Sequence, residues 1–102
     1  MMLFKHINGI KTYAPSSRIQ LIKKAVCEKK ILVAINAEKI INADSKMKLL
    51  INQNIGYPDG YGAVKALKKK GVSNVNKIPG CELWLNIINL YHKTHTFYLI
   101  GS

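Results

Sequence analysis

Ile55-Gly56-Tyr57-Pro58-Asp59-Gly60-Tyr61-Gly62-Ala63-Val64-Lys65-Ala66-Leu67-Lys68-Lys69-Lys70 reads as a brief strand, a glycine-rich loop and a basic helix in immediate succession. Glycine accepts positive φ and proline fixes its own. Three glycines and a proline between positions 56 and 62 therefore predict a sharp turn or a close backbone approach to a ligand. Gly71 follows the helix as a C′ glycine would. One carboxylate, Asp59, stands in the middle of the loop.

On the N-terminal side, Ile31-Leu32-Val33-Ala34-Ile35 is a continuous apolar run of strand length, β-branched at three of its positions. That pattern predicts a strand buried on both faces, as in a parallel sheet. Asn36 ends it, 37–41 read as a short helix, and Asp44-Ser45 caps a second helix with Met47, Leu50 and Ile51 facing inward. Earlier still, Leu3 to Tyr13 is short apolar alternation broken by Asn8-Gly9, a strand or small hairpin. Ala14-Pro15-Ser16-Ser17 starts a helix running to about Glu28. Its stripe is Ile19, Ile22 and Val26, flanked by Leu21 and Ala25.

On the C-terminal side, 72–78 read as extended, and Pro79-Gly80 turns into a helix from Cys81 to about Lys93. Trp84, Ile87, Ile88 and Tyr91 form its core stripe. Thr96-Phe97-Tyr98-Leu99-Ile100 reads as a last strand. Strand alternates with helix throughout, which predicts an α/β fold with a largely parallel sheet. The pattern stops at a strand that would feed another helix. Residues 1–102 are therefore expected to form a single domain that is the front half of a larger one.

The whole composition narrows the partners. Sixteen Lys+Arg against five Asp+Glu give a formal charge of +11, which points to an anionic partner: nucleic acid, a phosphorylated molecule or an acidic membrane surface. Interleaved exposed aromatics and a nucleic-acid-binding motif are both missing, so a small basic nucleic-acid-binding domain is the lesser alternative. No apolar run approaches the roughly 18 residues that cross a bilayer, and the N-terminus lacks the apolar block of a signal peptide, so the chain is expected in the cytosol. Cys27 and Cys81 have no CxxC partner and read as two buried or half-buried free thiols. His92 and His95 lack a third ligand candidate, so no metal site is expected.

In an open α/β sheet, ligands bind outside the carboxyl ends of the strands, where Asn36 and Asp59 both fall. Asn36 reads either as a helix cap or as a site residue. Asp59 reads either as an Asp-Gly turn capping the next helix or as a functional carboxylate. The spacing Gly56-x-x-x-Gly60-x-Gly62 matches neither the Walker loop nor the dinucleotide fingerprint.

Four blocks in order carry a resemblance: Leu32-Val33-Ala34-Ile35-Asn36-Ala37-Glu38-Lys39, Tyr57-Pro58-Asp59-Gly60, Lys77-Ile78-Pro79-Gly80-Cys81-Glu82-Leu83-Trp84 and Phe97-Tyr98-Leu99-Ile100-Gly101. Together they resemble the WecG/TagA/CpsF glycosyltransferases of bacterial surface-polysaccharide assembly. The wording around Asn36 is closest to the branch that transfers N-acetylmannosaminuronic acid in enterobacterial common antigen synthesis.

The resemblance implies a Rossmann-like fold and an inverting, metal-independent transfer from a UDP-sugar to GlcNAc-diphospho-undecaprenol at the inner face of the plasma membrane. No cofactor is implied, and a homo-oligomer is compatible with it. By the same resemblance Asp59 is the general base, and Asn36 and Lys77 bind substrate; around that loop Gly60 and Tyr57 are read as further substrate contacts, with Tyr57 and Tyr61 bordering the site as stacking surfaces for a sugar or uracil. Lys77 stands where the family usually has arginine, which keeps the charge and loses the bidentate fork. A truncated, inactive remnant of such an enzyme is the alternative.

Overall fold

The computed structural model describes residues 2–100. Asn8 and Gly9 both take positive φ, 49° and 80°, as a two-residue primed hairpin turn requires. They join β1 (Leu3–Ile7) to β2 (Ile10–Ala14). Ser17 then accepts a hydrogen bond from the Gln20 N–H and starts α1 (Arg18–Glu28), which Lys29 closes in the left-handed region. After β3 (Leu32–Ile35), Asn36 caps α2 (Ala37–Asn42) and Asp44 caps α3 (Ser45–Asn52). The opening stretch forms β4 (Ile55–Pro58) and α4 (Tyr61–Lys69) as expected, and α5 (Gly80–Tyr91) follows.

The fold is α/β, with the four strands in one open sheet ordered β1-β2-β4-β3. β2 and β3 both run parallel to β4, whereas β1 pairs with β2 antiparallel, so the sheet is mixed. Residues from α1 and α5 (Leu21, Ile22, Ala25, Leu83) pack with Tyr13, Ile55 and Tyr57 in one buried cluster. Residues from α3 and α4 (Ile51, Ala63, Val64, Leu67) belong to two clusters with Ile7, Ile10 and Ile35. Alternate strand residues thus feed opposite faces, and helices cover both. No helix among the described residues is long and apolar enough to cross a membrane.

Several sequence expectations are corrected. β3 is an edge strand: it pairs only with β4, Leu32 to Ala34 are half-buried and Ile31 is exposed. The strand buried on both faces is β4, whose four residues are all buried. In α1 Ile22 of the expected stripe faces the sheet together with the flanking Leu21 and Ala25, while Ile19 and Val26 are exposed. The helix is turned so that Arg18 lies toward α5, where it pairs with Glu82 at 2.9 Å. In α3 only Ile51 is buried, with Met47 and Leu50 exposed. In α5 Leu83 is the buried residue, Ile87, Ile88 and Tyr91 are half-buried, and Trp84 faces solvent.

Residues 72–78 form no strand. Val72, Val75 and Ile78 are buried, and the Ile78 N–H donates to the Pro58 carbonyl at 2.8 Å, docking the segment onto the end of β4. Residues 96–100 are not a strand either, because no ladder of hydrogen bonds holds them, and Tyr98, Leu99 and Ile100 are exposed. Apolar content alone does not make a strand without a neighbour to satisfy its backbone. Cys27 and Cys81 are both exposed free thiols, since Cys27 lies on the outer side of α1 and Cys81 in the first turn of α5.

Candidate functional site

The site is built where two parallel strands end side by side. The Asp59 N–H donates to the Ile35 carbonyl at 3.0 Å, which carries the β3–β4 register one residue past Pro58 and sets Asp59 next to Asn36. Asn36 Oδ1 accepts from the Lys39 N–H at 2.9 Å, so Asn36 does cap α2. Such a cap is worth about 1 kcal/mol.

Asp59 does not cap the helix that follows it. The N-cap of α4 is Gly60, which makes no side-chain cap bond. Asp59 Oδ1 instead accepts from the Gly80 N–H at 3.2 Å, at the first residue of α5. The N-cap of α5, Pro79, has no side chain able to cap, so the carboxylate fills that role from a distant part of the chain. One carboxylate oxygen is thereby held while Oδ2 remains on the side facing Gly80. A Cβ on Gly80 would lie 3.6 Å from Asp59 Oδ2 and 3.0 Å from the Tyr57 hydroxyl. Carboxylate and phenol thus converge on one glycine.

Tyr57 is 5% exposed, its ring packed in the core cluster with Ile55, Ile78 and Leu83. Its ring is not available to stack on a ligand, which corrects that part of the sequence expectation; the hydroxyl is the part that borders the site. Burial, then the Asp59 charge, then Cys81 push the phenol up from its ordinary 10.0 to about 12. Its folded pKa therefore lies above its unfolded one. The stability it contributes is fully present below about pH 10 and is lost as pH rises toward 12. A phenolate absorbance titration of the folded protein should contain a late phase near pH 12 that is absent in Tyr57→Phe. A titration in which Tyr57→Phe removes no late phase would contradict this burial.

The glycines divide by role. A Cβ on Gly62 would meet the Ala37 Cβ at 2.8 Å, so Gly62 lets α4 pack against the start of α2 and leaves no room there for a sugar. A Cβ on Gly60 would meet only the Asn36 Cβ, at 3.9 Å, so the open space lies over Gly60.

Lys77 is exposed, with its Nζ 4.8 Å from the centre of the Tyr61 ring. The stacking surface expected of Tyr61 is therefore shared with a cation. Lys77 also lines a cavity of about 180 Å³ with Arg18, Ser16, Ser17 and Asn76. Arg18 is a residue that reading the sequence missed. Nothing local marks it, because its partner Glu82 and its neighbour Lys77 come from far along the chain. Asp59 lines none of the cavities beside Lys77 and Arg18, between α1 and α5, along α2 and α3, or between β1 and the segment after α4. Among those residues no group of three or more His, Cys, Asp or Glu is placed to hold a metal ion.

The arrangement can accept a proton at Asp59, donate a hydrogen bond from the Tyr57 hydroxyl, and attract an anion toward Lys77 and Arg18. No protein-family model matches the chain, and no solved structure matches it either.

Proposed function

We propose that the chain carries the base-bearing part of an inverting, metal-independent glycosyltransferase. It would move N-acetylmannosaminuronic acid, N-acetylmannosamine or a hexose from a UDP-sugar to GlcNAc-diphospho-undecaprenol. The reading joins the resemblance to the WecG/TagA/CpsF enzymes with one observation: a lone carboxylate, Asp59, held through one oxygen by the Gly80 N–H at the carboxyl ends of β3 and β4.

In this reading Asp59 takes the proton of the acceptor hydroxyl as its oxygen attacks the anomeric carbon. The bond from that carbon to the UDP oxygen breaks, UDP leaves with the electron pair, and the sugar's configuration inverts. Lys77 and Arg18 offset the charge on the leaving diphosphate, with the α5 N-terminus already engaged by Asp59. Asn36, Gly60 and the Tyr57 hydroxyl line the sugar position. A Rossmann-like arrangement within a larger domain and peripheral contact with the inner face of the plasma membrane belong to the same proposal.

A second reading, a chain that keeps this loop without turning over, is favoured by the placement of Asp59 outside every cavity described above. Efficient transfer needs water excluded from the reacting centre. The test is to supply each UDP-sugar with the lipid-linked acceptor in the presence of EDTA and to determine the anomeric configuration of the product by NMR. Transfer with inverted configuration supports the enzyme. Transfer with retained configuration, or transfer abolished by EDTA, rejects the mechanism; absence of transfer selects the second reading.

A further inference from the structure

Gly80 leaves a gap between two polar atoms. A side chain on its Cα would project toward the Tyr57 hydroxyl, 3.0 Å from the Cβ position, and toward Asp59 Oδ2, 3.6 Å from it. Among the described residues Asp59 Oδ1 takes the Gly80 N–H, while neither Oδ2 nor the Tyr57 hydroxyl enters a hydrogen bond. The phenol cannot swing aside, since its ring is 5% exposed and packed with Ile55, Ile78 and Leu83. Gly80 does not take positive φ, so what distinguishes the position is the space it leaves.

We propose that this gap seats one alcohol oxygen, the attacking hydroxyl of the acceptor, between Tyr57 as hydrogen-bond donor and Asp59 Oδ2 as proton acceptor. That the alcohol belongs to an acceptor sugar rests on the glycosyltransferase reading; the gap and its two polar walls do not.

The walls choose the ligand by what each can do. Burial and the Asp59 charge push the phenol up to about 12, so Tyr57 keeps its proton through the neutral range and donates. A carboxylate oxygen only accepts. An anion is repelled by Asp59, a carbonyl oxygen leaves Oδ2 unpaired, and an ammonium group leaves the phenol unpaired. A hydroxyl satisfies both, accepting with one lone pair and donating its proton. The tetrahedral oxygen then has its second lone pair free for the carbon under attack. As that carbon–oxygen bond forms, the O–H bond breaks and the proton goes to Oδ2. The hydrogen bond from Tyr57 meanwhile strengthens on the charge gathering at the oxygen, and Tyr57 keeps its own proton.

The experiment uses the full chain labelled with ¹³C at the tyrosine Cζ, Tyr57 being assigned by its loss in Tyr57→Phe. The probe is a GlcNAc-diphospho acceptor on a short lipid, with no UDP-sugar present. Binding is expected to move the Tyr57 Cζ resonance. Gly80→Ala fills the gap with a methyl while its N–H still holds Asp59, and should raise the acceptor Kd roughly tenfold or more with an unchanged melting temperature. With UDP-sugar added, Tyr57→Phe should lower kcat about tenfold, the worth of one hydrogen bond, and leave the KM for UDP-sugar unchanged. A Tyr57 Cζ unmoved by the acceptor overturns the proposal, as does an acceptor Kd that Gly80→Ala leaves intact. Should Gly80→Ala lower the melting temperature, Tyr57→Phe decides, since it adds no atom: the parent's kcat overturns the proposal. A shifted Cζ that Gly80→Ala abolishes, without turnover, keeps the gap and rejects the enzyme. Turnover that neither variant changes keeps the enzyme and rejects the gap.

Discussion

Asp59→Asn is expected to reduce sugar transfer by about 10²- to 10⁴-fold, the usual worth of a general base, while the fold stays intact. The reason lies in how the side chain is held. Asn has the same shape as Asp, its Oδ1 can still accept from the Gly80 N–H, and Asn is as good a helix cap as Asp. What is lost is the oxygen that takes a proton, because an amide nitrogen stands in its place. Initial rates with matched thermal melts separate the two roles. Undiminished transfer by Asp59→Asn sinks the base assignment. A rate loss accompanied by a collapsed melting temperature would mark Asp59 as only the cap of α5. Asp59→Ala, by contrast, should cost about 1 kcal/mol of stability as well, since it removes both.

Gly56→Ala is expected to be strongly destabilising. Gly56 lies opposite Thr12 on one side and Val33 on the other, in the middle of the central strand. A Cβ there would stand 2.9 Å from the Lys11 carbonyl oxygen and 3.0 Å from Ile35 Cγ1. Ile35 is fully buried and the Lys11 oxygen is backbone of β2, so the methyl must either displace Ile35 in the core or part β2 from β4. Overpacking of this kind costs about 3 kcal/mol, a large part of the roughly 5–15 kcal/mol that holds a domain together. The melting temperature should fall by more than about 10 °C. Gly71→Ala is the useful contrast: φ is +95° there, yet no atom lies within 4 Å, so only backbone strain is charged. A melting temperature for Gly56→Ala within a few degrees of the parent, by the same size scaling, would mean that the two strands are not held at this spacing.

What the sequence disclosed is what short-range chemistry writes into it. Asn8-Gly9 announced the hairpin because both residues must take positive φ, and Ser17, Asn36 and Asp44 announced helix starts because each caps a backbone N–H three residues on. The strand–loop–helix from Ile55 to Lys69 was readable for the same reason. What stayed hidden depends on distant partners. The apolar run at 31–35 looks more central than β4, since Gly56 dilutes the pattern of the strand that really lies in the middle. The faces of α1, α3 and α5 were misjudged by a fraction of a turn, because an apolar residue on the stripe and one beside it differ only in what packs against them.

The site divides along the same line. Asn36 and Asp59 were legible as neighbours at the carboxyl edge of the sheet. The bond from Asp59 to Gly80 was not, for it spans 21 residues and makes Asp59 the anchor of α5 in place of a cap on the helix that follows it. Nor was the burial of the Tyr57 ring, which removes it as a stacking surface and leaves its hydroxyl beside the carboxylate. Lys77 was identified by its place in a motif, whereas Arg18 entered only when folding brought α1 alongside it.

The most direct measurement is UDP release by the purified chain, supplied with a UDP-sugar and a GlcNAc-diphospho lipid acceptor, each also omitted in turn. The proposed chemistry predicts release that requires both substrates and disappears in Asp59→Asn. Release that proceeds without the acceptor, or that Asp59→Asn leaves unchanged, would contradict it.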